Sequence, residues 1–498
     1  MKISIIKGFL PNIWFSLFVV SLLHPGSLRG GSTWDGGQTT GPNPRELWGR
    51  VKNWSGDVVP TNNADIVMQG ILKTTNEVDS GVWQNMNSLT ISNSAASFNI
   101  RGLELTNATG ITSFHNLEVT ISNNWVLSGA NTWSSSSNTL NIVGNVNLQA
   151  NTLTWDNTGG ASGGVTNIIQ GIISGTGGLT KTGGGTNVLT GVNTYSGATT
   201  INGGVLSSGA AGVIGDSSAV TVTSPGVLDL NGNAETIGSL AGSGSMTLGG
   251  ATLTEGGDNS TTVFSGVVSG TGGFTKAGTG TTTLTGINTF VDTTTISGGT
   301  LALGANGALG GTTNIVINSG GTLLLNGGTG TLINNAAVIN LNGGTLNAND
   351  KTETMGNLTL TADSVINLSA GGIAGILTFG NTAWTPGAST LTINNWTGSP
   401  GISGGDDRIF FGTSMGGSTL TGISFAGITG ASGAYVLGSG EVVPAPEPGT
   451  ILSALLWFGL LTGYWLRKRG AAKMKESSPI EMTWSHSGRK RKKGMILY

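Results

Sequence analysis

Between residues 166 and 440 the apolar residues fall one or two at a time on short runs rich in Thr, Val and Ile, each cut by glycine pairs or by asparagine. This is strand-and-turn patterning with no helical period. The runs themselves repeat. Ile172–Lys181 (IISGTGGLTK) returns 95 residues later as Val267–Lys276 (VVSGTGGFTK), and the offset then holds without a gap. Leu189–Tyr195 becomes Leu284–Phe290, and Thr199–Ile201 becomes Thr294–Ile296. Leu228, Leu230, Asn231 and Gly232 map to Leu323, Leu325, Asn326 and Gly327, and Leu341–Leu346 is a third, partial echo. Seven positions stay apolar in both copies: Leu179/Phe274, Leu189/Leu284, Val192/Ile287, Tyr195/Phe290, Ile201/Ile296, Leu206/Leu301 and Ile214/Leu309. A repeated core requires such positions, whereas a Gly/Ser/Thr/Asn-rich disordered linker does not.

Short strands joined at Gly and Asn corners predict an all-β fold, a right-handed parallel β-helix (β-solenoid), in which each coil stacks on the last at ~4.8 Å. Residues 166–440 are expected to form one solenoid of roughly ten or more coils, on the order of 50–65 Å long. Asn193/Asn288 and Asn231/Asn326 fit either stacked turn ladders or plain surface turns.

Two longer apolar runs stand outside this pattern. Ile13–Leu23 follows Lys2 and Lys7 and precedes His24-Pro25-Gly26. Position and flanking charge favour a secretory signal over residues 1–30 rather than a buried helix. Thr450–Leu466 is an uncharged 17-residue run followed at once by Arg467-Lys468-Arg469. It predicts one C-terminal transmembrane helix, 450–466, with Trp457, Tyr464 and Trp465 at interfacial depth and the basic cluster in the cytoplasm. The body is then held outside the membrane.

Composition narrows the chemistry. The 498 residues include 87 Gly, 3 His and no Cys. Disulfides, thiolate nucleophiles and Cys-based zinc or redox motifs are excluded. His115 is the one histidine of the body. The formal net charge of −2 hides an asymmetry: residues 31–450 hold 9 Lys/Arg against 22 Asp/Glu, and residues 467–498 hold 10 basic groups against 2 acidic. An acidic body lacks the clustered cations that nucleic-acid binding needs. The tail 470–498, with Arg489-Lys490-Arg491-Lys492-Lys493, reads either as a patch drawn to anionic lipid or as an uninformative extension.

Pro446-Glu447-Pro448, the apolar run and Arg467-Lys468-Arg469 occur in that order over 441–469, which resembles the PEP-CTERM sorting signal of exported bacterial proteins. The resemblance implies an exosortase-type transpeptidase as partner, cutting near Pro446-Glu447-Pro448 and passing the body to the cell surface or extracellular matrix. Members of that group usually end soon after the basic cluster, and this chain runs on. Gly177–Leu206 and its copy Gly272–Leu301, within units 172–215 and 267–310, resemble the autotransporter-associated β-strand repeat, which implies a secreted β-helical passenger. An autotransporter itself also needs a C-terminal membrane β-barrel of ~250 residues or more, where this chain places one helix.

Residues 31–165 hold seven of the thirteen tryptophans. They form a Trp-rich β region whose rings either cap the solenoid or, at exposed positions such as Trp34 and Trp54, stack on sugars. The acids that could serve a β-helical lyase or hydrolase are Asp406, Asp407, Asp229, Glu235, Glu255 and Asp258, with Arg408 beside the first two. No spacing fixes an acid and a base together, and turn capping explains these groups better. Asp406–Phe411 with Gly440–Pro444 looks like the β segment that often precedes the sorting signal. The sequence therefore predicts an exported surface or matrix solenoid with a structural or adhesive role, with no catalytic residues, cofactor or metal. Extracellular polysaccharide or surface glycans are the candidate partners. A carbohydrate-active enzyme on the same scaffold is the rival.

Overall fold

The computed structural model describes residues 63–445, apart from short internal segments, together with the strands Ser32–Trp34 and Glu46–Leu47. Strands alternate buried and partly exposed positions, as in Leu153–Asn157, where Leu153, Trp155 and Asn157 point inward and Thr154 and Asp156 outward. Period-two alternation on β-branched residues is what a pleated strand with one buried face selects. Single positions trace the stack. Ile66, Leu89, Ile111, Trp133, Trp155, Lys181, Ile201, Val222, Gly242, Phe264, Leu284, Leu303 and Leu325 are register partners in successive parallel strands, one residue per turn. The same sheet carries on from Leu323 through Leu346, Ile366 and Ile393 to Phe425. The expected right-handed parallel β-solenoid is the architecture.

Each turn has three faces. Leu179–Thr182 lies on the longest face, Thr186–Leu189 on the second and Asn193–Tyr195 on the third, before Thr199–Ile201 returns to the first one turn on. An eleven-stranded sheet forms the second face up to Val268–Ser269, and a seven-stranded sheet forms the third from Glu235–Ile237 to Leu358–Ala362. The ladders cross residue 165 unbroken: Asn141–Ile142 pair with Ile168–Ile169, and Leu153–Asp156 with Leu179–Thr182.

The 95-residue repeat is not a whole number of turns. Five turns carry the long-face ladder from Lys181 to Leu284. Lys276, the counterpart of Lys181, sits one face earlier, on the third face between Glu255 and Ile296. Leu189 on the second face likewise has Leu284 on the long face as its counterpart. The repeat thus spans four and two-thirds turns, and its second copy is displaced by one face around the axis.

Six of the seven repeated apolar pairs are core residues, buried to 1% exposure or less. The pair Val192/Ile287 is a correction, because these residues are 62% and 65% exposed. They stand at a corner just before a buried asparagine, where the chain turns and the side chain points outward. Trp125, Trp133 and Trp155 are fully buried, with the first two rings edge-on at 5.8 Å, so these three fill core. Trp34 ends a strand in register with Met68, and nothing further is described of its side chain.

At the C-terminal end the stack is met by an antiparallel sheet of Thr419–Leu420, Ala434–Val436 and Val442–Pro444. Phe410 and Glu441 pair in an antiparallel bridge, which joins the two halves of the segment singled out in the sequence. Such a ribbon occupies an edge that would otherwise template further strands. Among the described residues no helix is long and apolar enough to cross a membrane. The signal 1–30, Trp54, Pro446, Glu447, Pro448, the run 450–466, Arg467, Lys468, Arg469 and the tail 470–498 lie outside the described residues.

Candidate functional site

The repeated Leu-Thr-Gly-(Val/Ile)-Asn-Thr-(Tyr/Phe) motif builds an internal staple. Asn193 Oδ1 accepts the Ile173 N–H from the turn below at 2.7 Å, and its Nδ2 donates to Val213 O in the turn above. Asn288 does the same between Val268 N–H (2.8 Å) and Ala308 O (2.7 Å). Both asparagines are buried, so they satisfy main-chain groups at a corner where regular pairing lapses. They neither stack on each other nor face solvent. Asn231 adopts a left-handed turn with its N–H on Asp229 Oδ1, and Asn326 Oδ1 accepts from Asn349 Nδ2.

The charged candidates disperse. Glu235 is 2% exposed, and its two oxygens accept the N–H groups of Val213 and Ile214 at 3.1 and 3.0 Å. Glu353 takes Leu332 and Ile333 in the same way. Glu255 is fully buried and accepts from Thr282. Burial pushes Glu235 and Glu255 up to about 7 and raises Glu353, because desolvation disfavours the ionised form. Lys181 and Lys276 also point inward, with ammonium groups on corner carbonyls: Lys181 on Thr182, Gly183 and Gly203, and Lys276 on Ala277. Burial pulls Lys181 down to about 8 and lowers Lys276.

Burial also acts to raise Asp258, but hydrogen bonds from Ser239 and Ser260 outweigh it and hold the carboxyl below its usual range. Asp229 caps its own turn, and Asp407 is 1% exposed and accepts the Gly375 N–H at 2.8 Å. Arg408 packs against Phe410 on its strand, and Asp406 lies outside the described residues. Raised glutamates are the mark of a general acid. These face the core, where no polymer reaches them. Among the described residues no group of three or more His, Asp or Glu is placed to hold a metal ion.

Outward positions give the long face its chemistry. Thr132, Thr154, Thr180, Thr200 and Thr221 are successive register partners. Two residues along, Thr90, Thr112, Ser134, Asp156 and Thr182 form a second column. A Thr column reappears on the third face as Thr236, Thr254, Thr275 and Thr295. Thr275 and Thr295 are the 95-residue counterparts of Thr180 and Thr200. Columns of hydroxyls at ~4.8 Å by ~6.6 Å make a periodic, nearly uncharged surface. Sequence reading missed these columns, because register between turns some 20 residues apart is not written in any local motif.

Residues 179–207 and 274–303 match the model of the Passenger-associated-transport-repeat, which places both copies of the staple and the buried lysine within that family's unit. The chain is 37% identical over 122 residues to the Adhesin BmaC autotransporter of Brucella suis biovar 1 (strain 1330). That alignment covers 23% of this chain and 3% of the adhesin, so the chain spans a small part of that relative's length. No solved structure matches.

Proposed function

We propose that this chain is an exported cell-surface or extracellular-matrix β-solenoid whose role is structural and adhesive. The observation that carries the reading is the long outer face of stacked Thr, Ser and Asn columns on a scaffold whose repeats match a passenger-type family. The adhesin relative supports the same class. Export through the N-terminal run, membrane anchoring by 450–466 and sorting by an exosortase-type enzyme at Pro446-Glu447-Pro448 complete the proposal, with Arg467-Lys468-Arg469 retained on the cytoplasmic side.

Mass spectrometry of the protein from fractionated cells tests it. A surface fraction whose C-terminus lies near Pro446-Glu447-Pro448 is expected, and intact Tyr498 on surface-exposed protein overturns the sorting step. Incubation with acidic and neutral polysaccharides should produce no new reducing ends. Turnover lost with Asp407→Ala would replace the adhesive reading with the enzymatic one.

A further inference from the structure

Near the C-terminal end of the long face the outer columns change character. Asn347, Asn367 and Asn394 are register partners in three successive turns, replacing the threonines and aliphatics that precede them. Two residues away on the same strands runs Thr345, Val365, Thr392 and Ser424. Asn349 and Asn395, both with positive φ, stand at the adjoining corner, and the five carboxamides line one open recess of about 600 Å³ that Leu368 also borders.

The carboxamides are only partly used. Asn394 Nδ2 donates to Asn367 Oδ1 at 2.7 Å, the Asn349 N–H donates to Asn347 Oδ1 at 3.2 Å, and Asn395 Nδ2 donates to Leu368 O at 3.1 Å. Asn347 Nδ2 and Asn367 Nδ2 remain as donors, and Asn394 Oδ1 and Asn395 Oδ1 as acceptors, all at the same recess. A ligand matched to both must donate and accept at close intervals, as a hydroxyl does. Neither column carries a charge, so an ionic ligand would find no counter-charge in them. Exposed Ala426 adds a small apolar surface at the same recess. The rung spacing of ~4.8 Å is comparable to one pyranose residue of an extended β-linked chain.

We propose that this recess binds a neutral polysaccharide chain lying along the solenoid axis, one sugar residue to a rung. The inference rests on the adhesive reading above and names its ligand class. Its test is calorimetric titration of the full chain in detergent with cello-, chito- and β-1,3-gluco-oligosaccharides of two to six residues. For one of these series, affinity is expected to rise with length up to three or four residues. The double variant Asn367→Ala/Asn394→Ala should lose it at least tenfold with an unchanged melting temperature, because both side chains lie outside the core. Val192→Ser, at an exposed corner many turns away and outside the outer columns, should bind as the parent does. No binding by any of the three series, a response to calcium chloride alone, or a double variant that binds as the parent overturns the proposal. Cells displaying the parent chain separate the two readings: adhesion by those cells while titration of the parent shows no site refutes the recess and leaves the surface role standing.

Discussion

Glu235 holds two main-chain N–H groups of the preceding turn, and its protonation is therefore tied to the stability of that corner. Its pKa and that of Glu255 are raised above the unfolded value, to about 7, so the folded chain binds their protons more tightly. The associated stability is fully present below about pH 4.5 and is lost as pH rises through about 7, up to about 3 kcal/mol for each group. Denaturant titrations at pH 5 and pH 8 should show the lower midpoint at pH 8. Glu235→Gln should flatten that difference while costing about 1–3 kcal/mol for the N–H it no longer accepts. Asn193→Ala and Asn288→Ala should each cost about 2–4 kcal/mol, since each strands one N–H and one carbonyl inside the stack. Val192→Ser, one residue away but exposed, should stay within about 0.5 kcal/mol. Nothing local in the sequence separates these neighbours. The groups that Asn193 and Glu235 satisfy lie some 20 residues off, at a distance that only the coil length sets.

Strands were legible for a simpler reason. Burial on one face forces alternation, and the paired copies expose which positions alternate: Leu179/Phe274 and Ile201/Ile296 could be assigned to the core from the chain alone, and both pairs are fully buried. Corners are where that logic fails, as Val192/Ile287 show, because an apolar residue between Gly and Asn carries no period. Glycine at these corners has a steric cause. Gly144, Gly171 and Gly191 stack turn upon turn, and a Cβ on Gly171 would lie 2.0 Å from Gly144 O. Gly171→Ala must push two turns apart and should cost about 1–3 kcal/mol, read as a lower midpoint in thermal melts followed by strand circular dichroism. Gly184 has open space around its Cβ position and tolerates the same change without that loss.

For the whole molecule, the fractional repeat has a direct test. Deleting residues 181–275 joins Thr180 to Lys276, and Lys276 then enters the long-face slot that Lys181 held, above Trp155. The variant is expected to fold as a solenoid shorter by four and two-thirds turns, or ~22 Å. Small-angle scattering should record that change in maximum dimension, and loss of the strand signal would show that the two copies are not interchangeable. Everything beyond the displaced face turns with it, so long-face residues past the deletion, the asparagine recess among them, move to a new bearing relative to the N-terminal half. No Cys cross-links exist to bind one turn to the next, and inter-turn hydrogen bonds run parallel to the long axis. Pulled along its axis, such a stack is expected to peel from one end, a turn at a time. Each turn of some 20 residues releases ~65 Å of extended chain. The turns differ in length, so the expected force–extension record is a series of unequal steps, which single-molecule pulling reads directly.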